Sequence, residues 1–284
     1  MTPFSALASK LSAFALLASL AACAPTPKVD VPPPAVAGYE AVVDNGFEIP
    51  AVDPALLKDG YQRTGVAYAG EEEPGTIVVD PFARKLYLVE ENGMAIRYGV
   101  AVGRQGLSFR GNGVIGRTEE WPSWTPTANM VRTRPDLYAE YAGGRSGGLD
   151  NPLGARALYL YRGGRDTMFR IHGTMDPASI GHATSAGCIR LFNQDAIDLY
   201  ERVERGAKIK VRTLEESVAA EGPYMDNAFG RAVPDTPENQ EQKLKDEAAI
   251  AEAAAADPEF AAKLAAAQEA ERRAMLQAAA AGGK

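Results

Sequence analysis

The chain has 284 residues, 46% of them hydrophobic and 24% charged, enough for one globular domain with extensions or for two small domains. Its net charge is −7 and no cluster of Lys and Arg forms a basic stripe, which argues against a nucleic-acid partner because phosphate neutralisation needs one. The same acidity suits anionic lipid headgroups poorly, so any hold on a membrane has to come from elsewhere.

The N-terminus offers such a hold. Residues 11–20 form a short apolar run rich in Leu, Ala and Phe behind Lys10. The run is too short to span a bilayer and suits the apolar region of a secretory signal. It ends in Leu20-Ala21-Ala22-Cys23, which resembles a bacterial lipobox, in which cleavage precedes the Cys and its thiol receives a diacylglycerol. Residues 1–22 are accordingly read as a signal peptide and Cys23 as a lipidation site, giving a periplasmic or otherwise extracytoplasmic protein held to a membrane by lipid. Cleavage after Ala24 is the alternative, since Ala22-Cys23-Ala24 also reads as small-x-small. The sequence holds two cysteines, and either route leaves Cys188 no second cysteine to bridge. A thiol in an oxidising compartment is a liability unless its chemistry is used, although a buried, inert Cys188 is the other reading.

Residues 23–74 are rich in Pro, Ala and Val, with Pro32-Pro33-Pro34 giving a stiff stretch. They read as a linker with a short ordered piece near Tyr61. A folded domain is expected over 75–213. Thr76–Asp80 is a strand candidate, Lys85–Glu90 alternates and continues the pattern, and Glu91-Asn92-Gly93 is a hairpin turn into a third strand over Ile96–Val102. Residues 103–155 hold many Gly and Pro and both Trp, and read as long surface loops. Arg156–Tyr161 and Met168–His172 are two further strand candidates. Asn193 is placed to cap a helix running to about Arg205, stopped by Gly206, with a closing strand over Ala207–Val211. Residues 214–284 form a linker and a tail rich in Ala and Glu, whose sparse apolar residues fit a solvated helix or a disordered segment better than a packed domain. A partner-docking helix is the alternative.

The residues with chemical potential are concentrated in Ile171-His172-Gly173-Thr174 and Ser185-Ala186-Gly187-Cys188-Ile189-Arg190. A thiol nucleophile needs a base for its proton and backbone N–H groups for an oxyanion. Gly187 permits tight backbone and close substrate approach beside Cys188. Arg190 can hold a substrate carboxylate bidentately. The chain has two histidines, so the base is either His172, sixteen residues ahead of Cys188 at a strand end, or His182 in a Gly- and Ser-rich loop. A carbonyl following the first, such as that of Gly173, can fix the imidazole tautomer in the way an Asp does in other triads. Two scattered histidines and one cysteine do not make a ligand set, so no metal and no other cofactor is implied.

His-Gly-Thr followed, after a loop of this length, by Ser-x-Gly-Cys-x-Arg resembles the signature of L,D-transpeptidase catalytic domains. The resemblance runs over about Thr76 to Val211 and takes in Trp121–Thr127 and Asn151-Pro152-Leu153-Gly154. It implies a mostly β, sandwich-like catalytic domain with one or two helices, Cys188 as nucleophile and His172 as general base. Gly187 and Cys188 then lie at the oxyanion hole, with Ser185 and Arg190 supporting or binding substrate. Many family members carry a second His two residues before the Cys. Here that position is Ala186, and the loop histidine His182 is a candidate for the missing group at the substrate site.

The implied reaction is acyl transfer through a Cys188 thioester on peptidoglycan tetrapeptide stems. It yields 3→3 cross-links, or attaches an exported protein to the cell wall. Hydrolysis by the same residues, as an L,D-carboxypeptidase or a hydrolase, is one rival. A non-catalytic wall-binding lipoprotein tether is another.

Overall fold

The computed structural model describes residues 35–269 apart from 59, 104–108, 134 and 185–186. The expected signal peptide, Cys23 and Ser185 lie outside the described residues. In chain order the strands and helices are β1 (Val42–Asp44), β2 (Phe47–Ile49), β3 (Thr64–Ala67), β4 (Ile77–Asp80), β5 (Lys85–Val89), β6 (Met94–Gly99), β7 (Asn112–Glu120), α1 (Ala128–Thr133) and α2 (Pro135–Tyr138). They continue with β8 (Arg156–Arg162), β9 (Arg165–His172), β10 (Ile189–Arg190), α3 (Asn193–Arg202), β11 (Lys208–Val211), α4 (Leu214–Glu221), β12 (Tyr224–Asp226), β13 (Ala232–Pro234) and α5 (Pro237–Ala256). The mostly β architecture expected from the sequence is the one found. A nine-stranded sheet in the order β10-β9-β8-β7-β11-β4-β5-β6-β3 is flanked by the hairpins β1-β2 and β12-β13.

β-Branched and aliphatic residues alternating along β4, β5, β8 and β9 build the interior. Ile77, Leu86, Leu88 and Tyr98 from one half of the sheet share a single core with Ile115, Leu158, Leu160, Ile171 and Ile189 from the other. The sheet therefore bends over on itself, and its two halves pack face to face. Ala101, just past β6, bridges Arg190 of β10 and brings the far end of the strand order round to the near end. Each fully buried Leu or Ile here contributes roughly 1.5–3 kcal/mol.

Four readings differ from expectation. Residues 103–155 contain β7, nine residues long and central to the sheet. Its Gly113 and Gly116, with a register shift between Ile115 and Arg117, erase the alternation that would have announced it. The stretch expected as a stiff linker carries β1, β2 and β3. Its Tyr39, Val52, Leu57 and Tyr61 are buried together with Ala101, Ile180 and Phe192. The strand expected over Ala207–Val211 is present as β11, but it does not close the fold, because β12 and β13 follow it. It lies between β7 and β4, parallel to β4, with Ile209 opposite Ile77. Finally, the residue before α3 is Phe192, which supplies no side-chain cap, and the helix ends at Arg202 rather than near Arg205.

The tail is helical through α5, which has no buried residue, and helical backbone resumes over 258–269. α5 is rich in Ala and in charged residues, and carries i,i+4 pairs such as Lys243–Glu247 and Lys245–Glu241. No helix among the described residues is long and apolar enough to cross a membrane.

Candidate active site

β9 and β10 run parallel, with Ile189 opposite Ile171 and Arg190 opposite His172. Ile171 and Ile189 are both buried in the core, 0% and 4% exposed. Successive side chains on a strand point to opposite faces, so Arg170, His172 and Arg190 share the other face, and Cys188 enters it just ahead of β10. Two segments sixteen residues apart in sequence are thereby joined side by side. The backbone of β10 is fixed on its other side as well, through reciprocal hydrogen bonds between Ala101 and Arg190 at 2.9 and 2.8 Å.

His172 is buried, and its Nδ1 lies 2.6 Å from the Gly173 carbonyl. That bond assigns the ring proton to Nδ1, which donates, and orients the ring. Burial first, then the Arg190 charge, push the imidazole down to about 3, against the pull of the Gly173 carbonyl. Cys188 keeps partial exposure and forms no disulfide among the described residues. Burial of its thiol pushes its pKa up, opposed by a hydrogen bond from the Arg170 backbone and by the charges of Arg170 and Arg190. Burial thus acts on both groups in the direction of their neutral forms, thiol and imidazole.

The segment carrying His172 is held by Asn193. Its Oδ1 accepts from Ala155 N at 3.0 Å and Thr174 N at 3.1 Å, and its Nδ2 donates to the Thr174 carbonyl at 2.9 Å. Asn193, expected as a helix cap, is thus a clamp between the end of β9, the turn before β8 and α3. The clamp explains two glycines of the motif segments. A Cβ on Gly173 or on Gly154 would overlap Asn193 Oδ1, so the backbone approaches only because both lack one. Gly187 has φ +132°, a conformation side chains rarely adopt, directly ahead of Cys188. α3 is in turn tied to the N-terminal stretch: Tyr39 Oη donates to Asp195 at 3.0 Å, and Arg63 pairs with Asp195 at 2.9 Å.

Of the candidate residues, Cys188, His172, Gly173, Gly187 and Arg190 converge on the β9–β10 junction. Ser185 lies outside the described residues. His182 sits in a different setting. Its backbone bridges Arg231 beside the β12-β13 hairpin. Burial and the Arg231 charge lower its pKa, with Asp226, Arg84 and Asp176 as the other groups that act on it. Sequence reasoning missed Arg170 and misassigned Asn193. A period of two counted back from His172 would have pointed to Arg170, whereas nothing local announces the clamp. Among the described residues no group of three or more His, Cys, Asp or Glu is placed to hold a metal ion.

The chain is similar in sequence to known proteins. The family model of the L,D-transpeptidase catalytic domain, YkuD, matches residues 74–211. A Fuscovulum blasticum protein named provisionally as an L,D-transpeptidase of the ATP synthase subunits region is 35% identical over 137 residues, covering 48% of this chain and 68% of that one. The Escherichia coli protein ErfK/SrfK, named a probable L,D-transpeptidase, is 31% identical over 167 residues. The match takes in 57% of this chain and only 52% of that relative's length. A Brucella melitensis crystal structure described as a probable carnitine operon oxidoreductase is 46% identical, covering 56% of this chain and 96% of that one, with a TM-score of 0.38.

Proposed function

We propose, from the premise that this chain belongs to the L,D-transpeptidase family, that Cys188 and His172 carry out acyl transfer on the tetrapeptide stems of peptidoglycan. The observation that carries this reading is the parallel pairing of β9 with β10, which sets Arg190 opposite His172 with Cys188 on the same face. His172, its Nδ1 committed to the Gly173 carbonyl, exchanges a proton through Nε2. It takes the thiol proton as Cys188 attacks the carbonyl between an L- and a D-centre. Backbone N–H groups at Gly187 and Cys188 receive the oxyanion. The C–N bond then breaks, the terminal D-residue leaves as an amine carrying the proton from His172, and a thioester to Cys188 remains. An acceptor amine attacks the thioester, forms the new amide and returns the proton to the thiol. Arg190 binds a stem carboxylate, and Ser185 supports the substrate.

The acceptor is a second stem, giving a 3→3 cross-link, or the amine of an exported protein. The protein acts outside the cytoplasm, with Cys23 as lipid anchor, residues 1–22 as its signal and the domain over 75–213 as the catalytic unit. Purified protein incubated with tetrapeptide stems is expected to release the terminal D-residue and to form cross-linked dimers. A yield of tripeptide alone would sink the transferase reading and leave hydrolysis by the same residues. Mass spectrometry of wall digests with and without the protein names the acceptor.

A further inference from the structure

Of the side chains on the face shared by β9 and β10, three enter the chemistry proposed above and one, Arg170, does not. Ile171 pairs with Ile189, and Arg170 and Cys188 are the residues that immediately precede them, Cys188 just ahead of β10. The Arg170 backbone also hydrogen-bonds the Cys188 thiol.

The Arg170 guanidinium is held on several sides. Nη1 and Nη2 donate to Asp166 Oδ1 and Oδ2 at 2.7 and 3.0 Å, a bidentate pair, and Nη1 donates to the Phe169 carbonyl at 2.9 Å. The guanidinium lies 4.2 Å from the centre of the Tyr159 ring. Tyr159 is itself fixed by its Oη bond to Glu119 at 2.9 Å. With all this around it, the Arg170 side chain is 12% exposed. An ordinary surface arginine is neither so buried nor so constrained.

The backbone is bent to produce this. Tyr159 pairs with Arg170 while Tyr161 pairs with Asp166, so β9 carries two residues more than β8 across that interval. Within the bulge Met168 takes φ +66°, the left-handed region, with its side chain 60% exposed. Thr167 Oγ1 donates to the Leu160 carbonyl at 2.7 Å, and Met168 N donates to Asp166 Oδ1 at 2.7 Å. Left-handed backbone at a non-glycine residue is unfavourable and persists where the surroundings over-determine it. Bulges re-aim side chains. This one turns Asp166 back onto Arg170.

We propose that Arg170 is a further functional residue of the site, a cation locked by Asp166 and Tyr159 beside Cys188, which favours the ionised thiol as its proton leaves. Asp166 has two effects in this arrangement: it holds the guanidinium in place and it offsets part of the positive charge. The inference rests on Cys188 being the nucleophile, and its test is separable from that reading.

The test is the pH profile of Cys188 alkylation by iodoacetamide in the full chain, with thermal melting as a check on folding. Arg170→Gln is expected to move the profile to higher pH and to slow alkylation at neutral pH about three- to tenfold. Arg170→Lys, which keeps the charge, recovers most of the rate. Asp166→Asn removes the offsetting charge while Tyr159 and the Phe169 carbonyl still hold the guanidinium, so it moves the profile to lower pH. The proposal is overturned if Arg170→Gln leaves the profile in place, or if Asp166→Asn fails to move it in the acid direction. Should Arg170→Gln not fold, the Lys and Asn variants decide the matter alone. A Cys188 that carbapenem does not label in the parent chain would instead count against the nucleophile itself.

Discussion

Arg190 stands opposite His172 in the parallel pairing of β10 with β9. A guanidinium on the neighbouring strand adds to the burial that keeps the imidazole unprotonated. The residue proposed to bind a substrate carboxylate therefore also poises the proposed base as a proton acceptor. A carboxylate arriving at Arg190 would relax that repulsion as His172 takes up its proton. Substrate binding and base strength are then linked through one side chain.

Labelling separates the two histidines. A carbapenem-type β-lactam is expected to acylate the parent protein stoichiometrically, and Cys188→Ala should abolish the adduct seen by mass spectrometry. His172→Ala should slow acylation by roughly 10²- to 10⁴-fold, the ordinary worth of a positioned base. His182→Ala, in its setting beside Arg231, should leave the rate within a few-fold. Greater damage from the His182 variant would reverse the assignment of the base.

The resting protonation states give a pH signature. With the Cys188 thiol pushed up and His172 pushed down to about 3, alkylation should climb steadily into the alkaline range. No plateau is expected between pH 5 and 8, where a resting thiolate–imidazolium pair would give one.

Stability carries the same sign information. The folded-state pKa of His172 lies below its ordinary value of 6.5. Between that value and about 3 the unfolded chain binds the extra proton, so this residue's contribution falls as pH falls through the window. Compared with His172→Gln, the parent should lose on the order of 3 kcal/mol between pH 7 and pH 4. Paired denaturant titrations at the two pH values measure it, and a constant difference would contradict the shift.

The Asn193 clamp should be costly to remove. Asn193→Ala deletes three hydrogen bonds and strands buried N–H groups of Ala155 and Thr174. A loss of about 2–4 kcal/mol is expected by urea unfolding, together with slower acylation because the segment carrying His172 loosens. Gly173→Ala should resemble it, since the new Cβ collides with Asn193 Oδ1.

The N-terminal stretch should be needed for folding. Tyr39, Val52, Leu57 and Tyr61 bury their side chains against Ile180 and Phe192, and β3 pairs along β6. Four such side chains at roughly 1.5–3 kcal/mol each match the whole stability of an ordinary domain. A chain beginning at residue 71 is expected to be unfolded or aggregated at 25 °C by circular dichroism.

By itself the sequence determined the features that short segments carry. The strands over Thr76–Asp80, Lys85–Glu90 and Arg156–Tyr161 were legible from their β-branched and aliphatic residues, with alternation in the second, and β4, β5 and β8 lie within a residue of them. The turn at Asn92-Gly93 was legible because both residues favour the positive φ they adopt, 59° and 69°. Cys188 stood out because no second cysteine was left for it and because its neighbours follow a recognisable order. Only the tertiary structure decided the rest. β7 and the packed stretch around Tyr39 and Tyr61 are stabilised by partners far along the chain, and neither has a local period to read. The parallel register of β9 and β10, the Asn193 clamp and the Asp166–Arg170 pair depend on which backbones run side by side and where one of them bulges. Those relations are set by a core assembled from both halves of the sheet, and no single segment records them.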